Sequence, residues 1–78
     1  MSKDNITHTI EKHIGTYSEA EGSGWTGELN VVSWNGREAK FDIRRWNPAH
    51  ERSSKGVTFT AEELEKLYEI LKDYYERG

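Results

Sequence analysis

Asn35-Gly36 is the feature that most limits how this chain can fold. Asn-Gly is a strong short hairpin signal, because both residues tolerate the left-handed backbone that a tight turn between strands demands. The dipeptide lies between two alternating stretches, Trp25 to Trp34 (WTGELNVVSW) and Arg37 to Trp46 (REAKFDIRRW). Two antiparallel strands around this turn are therefore expected, and the question becomes their register.

A two-residue turn would pair Trp34 with Arg37 and put Leu29 and Val31 on the face of Lys40 and Asp42. A three-residue loop with Gly36 left-handed pairs Ser33 with Arg37. That sets Leu29 beside Phe41, Val31 beside Ala39 and Gly27 beside Ile43. A one-residue slip moves every side chain to the other face, so the apolar pattern selects the second register. The opposite face then carries Thr26, Glu28, Asn30 and Val32 beside Arg44, Asp42, Lys40 and Glu38, a polar surface that Trp46 continues.

The rest of the chain supplies partners for this hairpin. Ile6 to Tyr17 is rich in branched residues at period two, a strand with Ile10 and Ile14 inward. In this alternation His8 and His13 have opposite parity and point to opposite faces. Ser18 to Gly24 is a glycine-rich loop, and Asn47-Pro48 ends the third strand because proline cannot donate to a ladder. Ala49 to Gly56 is a loop, and Val57-Thr58-Phe59 is a short fourth strand. Thr60 with Glu63 forms a capping box opening a helix from Ala61 to about Tyr75. Leu64, Leu67, Tyr68, Leu71, Tyr74 and Tyr75 make one apolar stripe, widened by Ile70. The fold class expected is α+β, a four-stranded antiparallel sheet followed by one C-terminal helix (ββββα). The polar residues 1–5 are expected to be disordered, with residues 6–78 forming one domain.

With 78 residues, only 33% of them hydrophobic, the core is small. The helix stripe is wider than such a sheet needs, so part of it is expected to cover the sheet's back and part to meet a second subunit, with Leu67, Ile70, Leu71 and Tyr74 at that interface. The chain has no cysteine, so disulfides and thiolate metal sites are excluded. No apolar run comes after Met1, and neither a signal peptide nor a membrane span is expected; the location expected is cytoplasmic, nucleoid-associated in a bacterium.

The formal net charge of −3 hides a division. The N-terminal part and the helix are acidic, whereas Arg37, Lys40, Arg44, Arg45, Arg52 and Lys55 outnumber Glu38, Asp42 and Glu51 in the middle. Cations beside indoles suit a phosphate chain with stackable bases. Trp34, at the hairpin tip, and Trp46, beside Arg44 and Arg45, are the stacking candidates, while Trp25 shares the parity of Leu29. His50 stands alone in its loop, and no metal spacing links the three histidines. Ser53-Ser54-Lys55-Gly56 lacks the glycines of a phosphate loop, and no nucleophile–base–orienter set exists. Neither an enzyme nor a cofactor is expected.

Asp42-Ile43-Arg44, Trp46 and Lys55-Gly56-Val57-Thr58-Phe59-Thr60, followed by an acidic amphipathic helix, resemble the positive cofactor four family of transcriptional coactivators. Gly24 to Asn30 and Ser33 to Gly36 are similar to its small bacterial YdbC-type members. The resemblance implies a symmetric homodimer whose curved sheets bind single-stranded DNA with little sequence preference. It implies that Arg44 and Trp46 contact phosphate and base, and that Lys55 is the basic residue before the last strand. Trp25, Trp34, Asn30, Lys40 and Arg37 join them by the face argument, and Arg52 by its place in the basic loop. Asp42 is read as a support that holds a neighbouring Arg or a backbone group. The alternatives are single-stranded RNA as ligand, or an interaction module docking a partner from transcription or replication.

Overall fold

The computed structural model describes residues 6–20 and 22–77. The expectation for residues 1–5 lies outside them. Four strands, β1 (His8–Glu19), β2 (Thr26–Trp34), β3 (Lys40–Trp46) and β4 (Val57–Phe59), precede one helix, α1 (Ala61–Arg77). The strands form a single antiparallel sheet in the order β1-β2-β3-β4.

The hairpin turn is the two-residue one, not the expected three-residue loop that pairs Ser33 with Arg37. Asn35 (φ 54) and Gly36 (φ 75) are both left-handed, and Arg37 N–H donates to the Trp34 carbonyl at 2.9 Å, as in a type I′ turn. That turn alone would put the apolar residues on the wrong face. An extra residue before β3 restores the parity, so that Val32 pairs with Lys40, Val31 with Phe41 and Leu29 with Ile43. The expected Leu29–Phe41, Val31–Ala39 and Gly27–Ile43 pairs are thus displaced by two residues. A two-residue shift keeps every side chain on its expected face.

β1 departs further from simple alternation. It starts and ends two residues later than expected and carries three irregularities, between Ile10 and Lys12, His13 and Gly15, and Thr16 and Ser18. Each extra residue reverses the parity of the strand beyond it. His8 therefore lies opposite Trp34 and His13 opposite Asn30, so both histidines share the polar face, contrary to the expectation of opposite faces. Ile14 is exposed rather than inward.

The helix begins at a reciprocal cap: Glu63 N–H donates to Thr60 Oγ1 at 3.1 Å, and Thr60 N–H donates to Glu63 Oε1 at 2.9 Å. Such a cap is worth about 1 kcal/mol. Among the described residues, α1 touches only β3 and β4 and buries no residue fully. Leu64 and Leu67 are half-buried, while Tyr68, Ile70, Leu71 and Tyr74 are exposed, Ile70 to 63%. The radius of gyration is 14.3 Å, against about 11–12 Å for a compact chain of this length. The helix extends the molecule instead of closing over the sheet's apolar back, where Leu29, Val31, Phe41 and Ile43 are only half-buried.

Among the described residues, the fully covered side chains lie on the other face. Trp46, Asn30 and Asp42 are 0% exposed and Val32 is 1% exposed. The face that alternation marks as polar is the better packed of the two.

Candidate nucleic-acid interface

Curvature produces this inversion. Trp46 pairs with Thr26 at one end of the β2–β3 ladder, and Trp34 ends β2 eight residues further along. On a flat strand that separation is about 27 Å. The two indoles nevertheless stack, with ring centroids 6.0 Å apart and planes 11° apart. The sheet curls so that the ends of the ladder meet over its polar face. His8 packs against both rings, at 5.5 Å from Trp34 and 4.8 Å from Trp46, and His50 stacks on Trp46 at 5.9 Å. Val32, Asn30 and Asp42 are buried on this same face.

Burial obliges the polar groups to find partners. Asp42 is held on both oxygens: Arg44 Nε donates to Oδ1 at 2.7 Å and Trp34 Nε1 donates to Oδ2 at 3.2 Å. Arg44 Cζ lies 4.5 Å from the centre of the Trp34 ring, a cation–π pair. Asp42 thus holds a neighbouring arginine, as expected of a carboxylate that does not suit a phosphate-facing surface, and a tryptophan as well. Glu28 accepts from Thr26 Oγ1 at 2.6 Å, Asn30 Nδ2 at 3.0 Å and His50 Nε2 at 2.8 Å. Burial alone raises the pKa of Glu28. The bonds from Thr26, Asn30 and His50, with the charge of His50, outweigh it and hold the carboxyl below its ordinary value. His13 Nδ1 donates to Asn30 Oδ1 at 2.6 Å, and His8 Nε2 donates to the His50 carbonyl at 2.9 Å.

The segment after β3 closes one end of this face. Asn47 Oδ1 accepts the Glu51 and Arg52 N–H groups, each at 2.9 Å, and His50 adopts a left-handed φ of 57°. The chain then returns along β3, where Trp46 bridges to Ser53 and the Arg45 N–H donates to Ser54 Oγ at 3.1 Å. At Gly56 the returning chain presses against Arg44. A Cβ there would overlap the Arg44 side chain and the Ile43 carbonyl. Only glycine fits between the loop and β4.

Two open clefts flank Trp34. One, of about 440 Å³, is lined by Trp34, Arg44, Ser53, Ser54, Lys55 and Thr58. The other, of about 160 Å³, is lined by Trp34, Arg37, Glu38, Lys40 and Thr58. Trp34 and Thr58 are common to both. Arg44 and Lys40 come from β3, Lys55 from the loop before β4 and Arg37 from the hairpin turn. Four cations from one continuous stretch therefore converge around one half-buried indole.

Five of the expected residues, Arg37, Lys40, Arg44, Lys55 and Trp34, meet at these clefts. Four do not. Trp46 is wholly buried, so the expectation of an open indole there is corrected: its ring is packed among Trp34, His8 and His50. Asn30 points inward, bonded to Glu28 and His13. Trp25 is half-buried at a separate shallow cleft with Glu19, Ala20 and Gly24. Arg52 is exposed on the loop. Sequence reasoning missed the histidines, since parity separated His8 from His13 and nothing local tied His50 to the sheet. Among the described residues, no three His, Asp or Glu side chains are grouped to hold a metal ion. No helix among them is long and apolar enough to cross a membrane.

These features define a small α+β protein with a curled sheet, a trailing helix and a basic cleft pair around a tryptophan. The family described as Transcriptional Coactivator p15 (PC4) matches residues 22–70. An uncharacterized protein of Treponema pallidum (strain Nichols) is 41% identical over 68 residues, covering 87% of this chain and 79% of its own length. The chain belongs to the p15 (PC4) coactivator family.

Proposed function

We propose that this protein binds single-stranded DNA with little sequence preference, as a homodimer, through the two clefts around Trp34. The observation that carries the reading is the convergence of Arg37, Lys40, Arg44 and Lys55 on clefts that share one aromatic side chain, in a member of the p15 (PC4) family. Spaced cations can follow a phosphate chain without reading base edges. Arg52 and Trp25 lie outside the proposed contact surface, and Trp46 and Asn30 act beneath it.

Dimerisation is supported by the uncovered apolar surface. Among the described residues, the back of the sheet and Leu67 are only half-buried, and Ile70, Leu71 and Tyr74 of the α1 stripe stay exposed. A second copy meeting this side would leave the clefts of both protomers open. The role is binding rather than catalysis, in transcription, replication or repair, within the cytoplasm. Intrinsic tryptophan emission followed during titration with matched single-stranded DNA, single-stranded RNA and duplex tests the reading. Saturable quenching by the single strands and little by duplex is the expected result.

A further inference from the structure

A buried carboxylate in a phosphate-binding face is an electrostatic liability, and Asp42 lies at the centre of this one, 0% exposed. Its removal should, on charge alone, strengthen binding to a polyanion. The geometry argues the reverse. Arg44 is bound through Nε, which leaves its terminal nitrogens for other partners; among the described residues, Nη1 reaches only the Ser54 carbonyl, at a long 3.5 Å. The guanidinium lies on the Trp34 ring, whose own N–H is tied to the second oxygen of the same carboxylate. Gly56 packs against the Arg44 stem. Arg44 is thereby held by a carboxylate, an indole and a backbone segment, at the wall of the larger cleft.

We propose that Asp42 is a positioning residue for nucleic-acid binding: it fixes Arg44 and Trp34 as one unit, with the terminal nitrogens of Arg44 presented to a phosphate oxygen. This rests on the single-stranded DNA reading above and adds to it a carboxylate whose effect on affinity is opposite in sign to its charge. Holding the guanidinium in advance removes the entropy that a free arginine loses when it engages a phosphate.

The test is a double-mutant cycle on the full chain, with labelled oligo-dT as the probe and polarisation as the readout. Asp42→Asn keeps an acceptor for the Trp34 N–H and removes the charge. It is expected to weaken binding roughly tenfold, the scale of one lost charge-assisted hydrogen bond. In an Arg44→Ala background the same change should leave affinity equal or slightly higher, because only the charge effect remains. Equal or tighter binding by Asp42→Asn in the wild-type background overturns the proposal, and so does an equal loss in both backgrounds, which would mark general structural support. Arg44→Lys provides an independent arm that leaves Asp42 untouched. It keeps the charge but has no Nε to anchor, so it should bind as weakly as Arg44→Ala; wild-type affinity overturns the proposal. Failure of the wild-type chain to bind oligo-dT at all overturns the functional reading itself, a result distinct from each of these.

Discussion

Trp34 and Trp46 stack with centroids 6.0 Å apart although Trp46 lies at one end of the β2–β3 ladder and Trp34 just beyond the other. That pair closes the curl of the sheet and makes a small core from what would otherwise be its polar face. The two tryptophans have different tasks as a result. Trp46 is part of the packing, and Trp34 is both a packing residue and the shared wall of two clefts.

Trp46→Ala should therefore act first on stability. Truncating a buried tryptophan costs about 3–5 kcal/mol. Chemical denaturation should show a loss of that size, accompanied by weaker DNA binding. Among the described residues, the Trp46 indole N–H is buried without an acceptor. Trp46→Phe loses ring area but also removes that donor, and should destabilise much less than the alanine.

Glu28 gives the fold an acid-sensitive joint. Its folded-state pKa lies below the ordinary 4.5, because the Thr26, Asn30 and His50 bonds outweigh the effect of burial. In acid the unfolded chain then binds the proton more readily than the folded chain, so stability falls as pH falls. The contribution is complete above pH 4.5 and is lost as pH drops through the lowered folded value. Thermal melts of wild type and Glu28→Gln should show a stability difference at pH 6 that shrinks below pH about 4.5. A difference independent of pH would contradict this.

Gly56→Val should be harmful although Gly56 is exposed, because its Cβ would meet both the Arg44 side chain and the Ile43 backbone carbonyl. The side chain can yield but the carbonyl cannot. Overpacking of this kind costs about 1–3 kcal/mol, and displacement of Arg44 should weaken oligo-dT binding in the same variant. Urea unfolding and a binding titration on one sample check both.

Ile70→Asp tests the assembly. Ile70 is 63% exposed, so a monomer should tolerate the change, whereas a dimer interface should not. Sedimentation is expected to show a wild-type dimer and a variant shifted towards the 9.1 kDa monomer. Equal sedimentation of the two proteins would remove α1 from the interface.

The features legible in the sequence were local. Asn35-Gly36, the alternation of Leu29 and Val31 with Phe41 and Ile43, and Thr60 with Glu63 each specify their structure within a few residues, and each appears in the fold. Even the shifted register kept its faces, because burial of the apolar set penalises any odd shift. The features that escaped it depended on bulges and curl. The irregularities in β1 brought His8 and His13 to one face, and the curl buried Trp46 and Asn30. Strand parity treats the sheet as flat, and carries no information about either. Asp42 was legible as a support from charge alone, since a carboxylate does not suit a phosphate-binding face.

The most direct test of the central claim is the salt dependence of oligo-dT affinity for the wild type and Lys40→Ala, Lys55→Ala and Arg37→Ala variants. Single strands release about 0.7 counterion per phosphate neutralised, so log K should fall linearly with log salt, and each substitution should lower the slope by about that amount. A flat salt response in the wild type, or slopes unchanged in all three variants, would show that the clefts around Trp34 do not hold the strand.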